Sequence, residues 1–553
     1  MLYLIVFFTS LIITIFTMPY WIEYLESREI VDNPTSARKI HTVPTPRMGG
    51  LIIYLMAVIS LYIYNSDSHL VRMIILGSFG FAVIGVFDDL WTMHWKIKFL
   101  LQSLNVLFLL YALKTYFNKV EFFSITIPYP FDQVLLFIFI LGTINSINLM
   151  DGMDGLVGGF SLLVLVVILV LAFTAGSHIM LILCASLLGG CLGFLKYNAS
   201  PARIFLGDSG SLTLGYFLVV LTILTSIEQF KRTLDLTFAV IILAVPIIDT
   251  LKVMFVRIYN GNSMFLPDKN HLHHIVLGTV VKSKTTVFLI LSLSLLFITD
   301  ALIYLKYSKI GGIILFGLLG NSLLQMKYVL RTSENLAQIE LFQTNLASFS
   351  RNTMLKIKEA LVYISSLISF ILMIGFFPYS AGISKVILLT LMIILILMLT
   401  LAFFTYRKTK STSDIYVFLN LVIFLGLSFF SDSVVASHFL HSGNSRYFFF
   451  IAILMLLTLV VFFIICKNCY PIEKKSFLTG LDLILISLIS LIFILHRIFD
   501  YQGYLNLGVN GFYALVIYIW YKIISGIEEK YHILLYRISF IIPFAAMVYN
   551  YFS

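Results

Sequence analysis

Apolar residues in this chain come in long blocks, with no marked alternation between faces. Stretch after stretch of roughly 17 to 22 residues carries few or no charges, and each ends at a short polar segment. Helices of that length cross the hydrocarbon core of a bilayer. The pattern predicts an all-α polytopic membrane protein of about 18 transmembrane helices. The opening block, "MLYLIVFFTSLIITIFTMPYWI", has neither a basic start nor a small-residue cleavage site, so it reads as a retained helix.

The polar connections give the topology. Those at 23–47, 88–98, 196–210, 257–284, 327–357, 407–410 and 466–479 are basic, whereas segments such as "NSDSH" at 65–69 are short or mixed. Basic loops face the cytoplasm, which puts the N-terminus outside and the first basic loop inside. The acidic segment 150–157 falls on the same side, fixed by the spans that flank it. The longest basic connection, 327–357, separates about 11 spans from about 7 and suggests a boundary near residue 345. Residues 1–345 then form one membrane domain and 346–553 a second.

Composition agrees: of 553 residues, 60% are hydrophobic and only 12% charged, more apolar surface than a soluble fold of this length could enclose. The net charge of +10 lies in the short loops, so it does not imply a nucleic-acid partner. Cys184 and Cys191 sit within an apolar block and read as packing residues. "CKNC" at 466–469 has metal or redox spacing but lacks a second Cys or His pair.

Chemistry concentrates in five polar clusters, all on the basic side of the first domain. "DNPTSARKIHTVPTPRMGG" (32–50) has prolines that favour extended backbone, and Arg38, Lys39, His41 and Arg47 supply donors suited to phosphate. "GVFDDLWTMHWKIKFLLQ" (85–102) holds Asp88 and Asp89, which on a helix end diverge by about 100°. In "NSINLMDGMDGLVGG" (145–159), a helix would put Asp151 and Asp154 on one face, with Asn145 and Asn148 as a second such pair. Asp208, in "YNASPARIFLGDSGSLTLGY" (197–216), stands where a span begins, as a helix cap or as a ligand for a magnesium ion carrying phosphates. "PDKNHLHH" (267–274), preceded by Arg257, puts three of the 11 histidines within four residues.

Each cluster alone has a bland explanation: a positive-inside loop, interfacial acids, a cap or a chance surface group. Together, acids for a metal and cations for phosphate on one membrane face are what phosphoryl transfer needs. No GxxxxGK[ST] or HExxH segment occurs, which disfavours nucleotide hydrolysis and zinc proteolysis.

In order and spacing, "RKIHTVPTPRMGG", "FDDL", "NSINLMDGMDGL", "SPARIFLGDSGS" and "PDKNHLHH" resemble the polyprenyl-phosphate N-acetylhexosamine-1-phosphate transferases. The resemblance runs from Asp32 to His274, and the family core would extend to about residue 335. It implies transfer of a sugar 1-phosphate from a UDP-N-acetylhexosamine to undecaprenyl phosphate, with release of UMP. It also implies a requirement for Mg2+, with Mn2+ as a substitute, and an active site on the cytoplasmic face of the bacterial inner membrane. A homodimer is among the assemblies it allows.

By position, Asp208 resembles the magnesium ligand, with Asp151 beside it, and Phe205 the aromatic residue at the uracil. Asn198 resembles a nucleoside contact. Asp151, Asp154 and Asn145 match the central catalytic motif, Asp88 and Asp89 the pair that engages the lipid phosphate, and Lys98 a phosphate-binding lysine. His271, His273 and His274 match the loop at the diphosphate or sugar. The "DNPTSARKIH" and "PDKNHLHH" loops look like the branch that uses UDP-GlcNAc, although Met264 stands where relatives of that branch often have proline. The alternatives are a phospho-N-acetylmuramoyl-pentapeptide transferase and, in another class, a transporter, whose acids would be spread through the depth of the bilayer. Nothing in 346–553 assigns that region an activity.

Overall fold

A computed structural model describes residues 2–33, 43–65, 68–261, 271–279 and 283–324. Arg38, Lys39, His41, Met264, "CKNC" and all of 346–553 lie outside the described residues. The described chain is mostly helical. Eight helices are long and apolar enough to cross a membrane: α1 (Leu2–Ser27), α3 (His69–Trp91), α4 (Trp95–Leu113), α5 (Phe131–Met150), α6 (Leu156–Ala175), α7 (His178–Asn198), α8 (Gly207–Gln229) and α12 (Ser283–Lys306). Two shorter apolar helices, α2 (Gly50–Asn65) and α13 (Lys309–Leu324), accompany them.

A further pair, α9 (Leu236–Ile242) and α10 (Ala244–Tyr259), is bent by 86°. The bend falls at Leu243, just ahead of Pro246, whose missing N–H is tolerated in the first turn of a helix but not in its interior. The short α11 (Leu272–Thr279) follows.

α8 is the axis of the fold, with its whole apolar stretch buried. α3, α5, α6 and α2 pack around it, and α7 packs on α1, α2 and α6. α4 is the most peripheral of these, and Leu100, Leu104, Leu107 and Tyr111 face outward, as suits a helix bathed in lipid. Small polar residues stitch α1, α2 and α7 together through Ser10, Ser60 and Ser186.

Among the described residues, five short strands interrupt the all-α expectation. β1 (Val31–Asp32) and β2 (Thr45–Pro46) pair antiparallel, with Val31 opposite Pro46. The prolines around β2 favour this extended backbone. β3 (Lys119–Phe122) pairs antiparallel with β4 (Ile125–Ile127) and parallel with β5 (Thr233–Asp235). The second sheet lies at the C-terminal end of α8, away from the acidic clusters. There Asp235 accepts from Tyr304 at 2.7 Å and Lys309 at 2.8 Å.

Candidate active site

The N-terminus of α8 is where the motifs meet. Phe205 N–H donates to the Pro46 carbonyl at 2.8 Å, Gly49 N–H to the Phe205 carbonyl at 2.9 Å, and Gly50 N–H to the Leu206 carbonyl at 3.0 Å. The loop after β2 is thereby tied to the chain entering α8. α3 closes on the same point so tightly that a Cβ on Gly85 would collide with the Ser209 backbone.

Asp208 does not cap its own helix. Asp89 does so from the last turn of α3: its Oδ1 accepts from Asp208 N–H at 2.8 Å and its Oδ2 from Ser209 N–H at 2.9 Å. Two of the otherwise unpaired N–H groups at the helix start are thus satisfied by a negative charge, where the helix dipole also favours one.

Asp88, one residue away, turns elsewhere. Its Oδ1 accepts from Met93 N–H and its Oδ2 from Lys98 Nζ, both at 2.6 Å. Lys98 also donates to Asp208 Oδ1 at 3.1 Å, so it bridges α3 and α8. Asn148 Nδ2 reaches the same Asp208 oxygen and donates to Ser211 Oγ at 2.7 Å. Asn145 lies a turn further from the acids, paired with buried Gln102 at 2.9 Å. Asn148 is therefore the asparagine of this motif that touches the acidic cluster.

Asp151 and Asp154 are not on a helix. α5 ends at Met150, Asp151 leaves helical backbone at ψ 49°, and Gly155 has φ 78°. The acids instead face the cluster from a tight loop. The Asp151 side chain makes no hydrogen bond among the described residues. Burial pushes its carboxyl up to about 8, with the charges of Asp208, Asp89 and Asp154 adding to the effect. Asp154 Oδ2 accepts from Ala202 N–H at 3.1 Å. Asn198 is buried, with its oxygen accepting from Gly155 N–H and its nitrogen donating to the Ile204 carbonyl, each at 2.9 Å. It clamps two loops of the site together. Phe205 is half-buried beside them.

The histidines stand against the same loop. His271 and His273 are buried, with rings nearly parallel at 9° and centroids 5.9 Å apart. A Cβ on Gly152 would come within 2.5 Å of His273 Nε2, so only glycine permits this approach. Burial holds the His273 ring down to about 3, with His274 and His271 contributing. His274 is half-buried in the first turn of α11. Arg257 is buried near the end of α10.

Two contacts lay outside the sequence reading: Asn148 with Asp208, and buried Asp249 of α10 with His271. In the sequence Asn148 reads only as one of a pair with Asn145. An isolated acid in the apolar run "AVPIIDTLKV" was the signal available for Asp249.

Among the described residues, no three His, Cys, Asp or Glu side chains form a ready-made metal cluster. A magnesium ion does not need one, because it keeps waters, takes phosphate oxygens and uses one or two carboxylates. Asp208 fits that part: Lys98 and Asn148 both reach its Oδ1, and the side chain is 29% exposed. Asp151, close enough to feel the charge of Asp208 and with no side-chain hydrogen bond among the described residues, would be available as a second oxygen donor.

Residues 71–226 match glycosyl transferase family 4. A probable undecaprenyl-phosphate N-acetylglucosaminyl 1-phosphate transferase of Bacillus subtilis (strain 168) is 33% identical over 282 residues, covering 49% of this chain and 76% of that protein. The phospho-N-acetylmuramoyl-pentapeptide-transferase of Geobacillus sp. (strain WCH70) is 31% identical over 294 residues, covering 49% and 88%. That of Thermoanaerobacter sp. (strain X514) is 28% identical over 309 residues, covering 52% and 95%.

Proposed function

The chain belongs to glycosyl transferase family 4, and from that premise we propose that it transfers N-acetylglucosamine 1-phosphate from UDP-GlcNAc to undecaprenyl phosphate. The reaction releases UMP and begins a cell-envelope glycan at the cytoplasmic face of the bacterial inner membrane. The observation that carries this reading is the junction at α8: Asp88, Lys98, Asp208 and Asn148 in one hydrogen-bonded cluster, with Asp151 and the histidines against it.

In the proposed mechanism an oxygen of the lipid phosphate attacks the β-phosphorus of the UDP-sugar. The bond from that phosphorus to the bridging oxygen breaks, and UMP leaves with the bond's electron pair. Asp208, with Asp151, would hold Mg2+, or Mn2+ in its place; the ion's chemistry is to neutralise charge on the diphosphate. Lys98 already shares its charge between two carboxylates and can turn a donor towards an incoming phosphate. Asp88 keeps Lys98 within reach and orients the acceptor. Asp89 fixes the backbone that carries Asp208. His271, His273 and His274 border the sugar diphosphate, and Arg257, Arg38, Lys39 and His41 supply further phosphate donors. Phe205 and Asn198 form the uridine side of the cleft, Asn198 by shaping its loops. The lipid phosphate is largely ionised near pH 7, so no strong base is required.

We assign the transferase to residues 1–345 and a separate membrane domain to 346–553, with about 18 spans in all. Cleavage of the full chain within 327–357 that leaves UMP release intact would support this division. The deciding experiment for function supplies the purified protein with undecaprenyl phosphate, Mg2+ and either UDP-GlcNAc, UDP-GalNAc or UDP-MurNAc-pentapeptide. UMP release with UDP-GlcNAc alone is expected. Release only with the pentapeptide donor would replace the sugar assignment, and release with none would end the reading.

A further inference from the structure

Asp249 is buried on α10, the second half of the broken span, and both of its oxygens serve α11. Oδ2 lies 2.9 Å from His271 Nδ1, and Oδ1 accepts the backbone N–H of Leu272 at 2.7 Å. Asp249 shares a buried stripe of α10 with Val245, Val253 and Arg257, while Leu251, Phe255 and Tyr259 are exposed. The charged Asp249 and Arg257 therefore face inward beside small apolar residues, and the bulky Leu251, Phe255 and Tyr259 face outward, as expected for a helix that borders a polar cleft inside a membrane. The chain of contacts continues past His271 to the parallel ring of His273, and from there to Gly152 between the two loop acids.

An ionised carboxylate only accepts hydrogen bonds, so the nitrogen facing it must carry a proton. The two ring nitrogens are distinct, and the partner of one decides what the other offers. Turning the ring over would replace Nδ1–H with a carbon and lose the bond. Leu272 N–H, next in the chain, locks the carboxylate in turn. Nε2 has no partner among the described residues, so it is the nitrogen left for a ligand.

We propose that Asp249 is a positioning residue that holds the His271 proton on Nδ1, so that the bare Nε2 is presented as an acceptor to a hydroxyl or amide N–H of the donor's sugar. Its role in turnover rests on the transferase reading above; its role in setting the tautomer does not. A residue that merely caps α11 would be replaceable by any side chain with one acceptor oxygen. Asp249→Asn separates the two roles. Its oxygen can still accept from Leu272 N–H, but its NH2 would then face His271 Nδ1 and favour the opposite tautomer.

The test uses the full chain labelled with 15N-histidine, as wild type, Asp249→Asn, His271→Gln and the double variant. The resonances that vanish in His271→Gln identify His271. Wild type should show Nδ1 protonated, and Asp249→Asn should show it bare. A bare Nδ1 in wild type, or no change in the variant, overturns the proposal, and the wild-type spectrum decides even if the variant does not fold. UMP release should fall about 10–100-fold in Asp249→Asn, mainly in kcat, as for other partners that orient a working imidazole. Added to His271→Gln, the same change should cost less than about two-fold, because the two residues act through one another. Independent losses that multiply would reduce Asp249 to a structural part. If wild type releases no UMP from any donor, the transferase reading fails and the tautomer result still stands or falls by the spectra.

Discussion

Replacing Asp89 by alanine separates a positioning acid from a reacting one. Its two oxygens hold the N–H groups of Asp208 and Ser209 at 2.8 and 2.9 Å, in a junction where Gly85 already presses on Ser209. Without the carboxylate, two N–H groups are left in a tight space. At about 1–3 kcal/mol for each orphaned group, the loss is about 2–6 kcal/mol. Water entering the gap would reduce it towards the lower figure. The backbone of Asp208 would also be freed, so activity should fall together with stability. Asp208→Asn offers the contrast: it keeps the backbone capped but gives up the Lys98 ion pair, so it should abolish UMP release with a smaller drop in the melting midpoint than Asp89→Ala causes. The assay pairs thermal unfolding of the detergent-solubilised protein with UMP release. An Asp89→Ala protein that melts with wild type yet makes no UMP would refute the capping argument and return Asp89 to the chemistry.

Four further outcomes follow from the same geometry. Asn148→Ala removes a donor from Asp208 and should slow turnover about 10–100-fold, whereas Asn145→Ala, which only orphans Gln102, should lower the melting midpoint with far less effect on rate; equal rate losses would contradict the contacts. Gly152→Ala drives a Cβ into His273 and should cost about 1–3 kcal/mol and much of the activity, and a neutral result would mean that α11 yields without consequence. Asp300 of α12 is buried with both oxygens unpartnered among the described residues, so Asp300→Leu should raise the melting midpoint and leave UMP release unchanged; a lower midpoint would imply a partner. His273 is held near 3, below its ordinary 6.5, so the stability it gives is present above about 6.5 and lost as pH falls towards 3. A His273→Gln protein should therefore show a flatter acid limb in its melting profile, and an unchanged limb would contradict the neutral, buried ring.

What could be read from the sequence, and what could not, follows from the range of the forces involved. Blocks of apolar residues specify spans locally, so α1, α3, α6, α7 and α8 were visible as runs. The divergence of Asp88 and Asp89 was also local, because adjacent residues on any helix point apart. The i, i+3 spacing of Asp151 and Asp154 would suit a helical face, but ψ 49° at Asp151 and φ 78° at Gly155 impose a loop. Glycine at 152 and 155 was the available hint, since it both weakens helix and permits positive φ. The pairings that build the site are of another kind. Asp89 with Asp208, Asn148 with Asp208 and Asp249 with His271 link residues far apart in the chain. Composition can announce that an acid in an apolar run needs a partner, but only packing says which. The partner is set by close approaches such as Gly85 on Ser209 and Gly152 on His273, where a missing side chain lets two backbones or a ring come together. Those glycines therefore carry as much of the site's geometry as its acids do. Through them α3 meets the start of α8 and α11 meets the loop after α5, and the charges on each side fall within hydrogen-bonding reach.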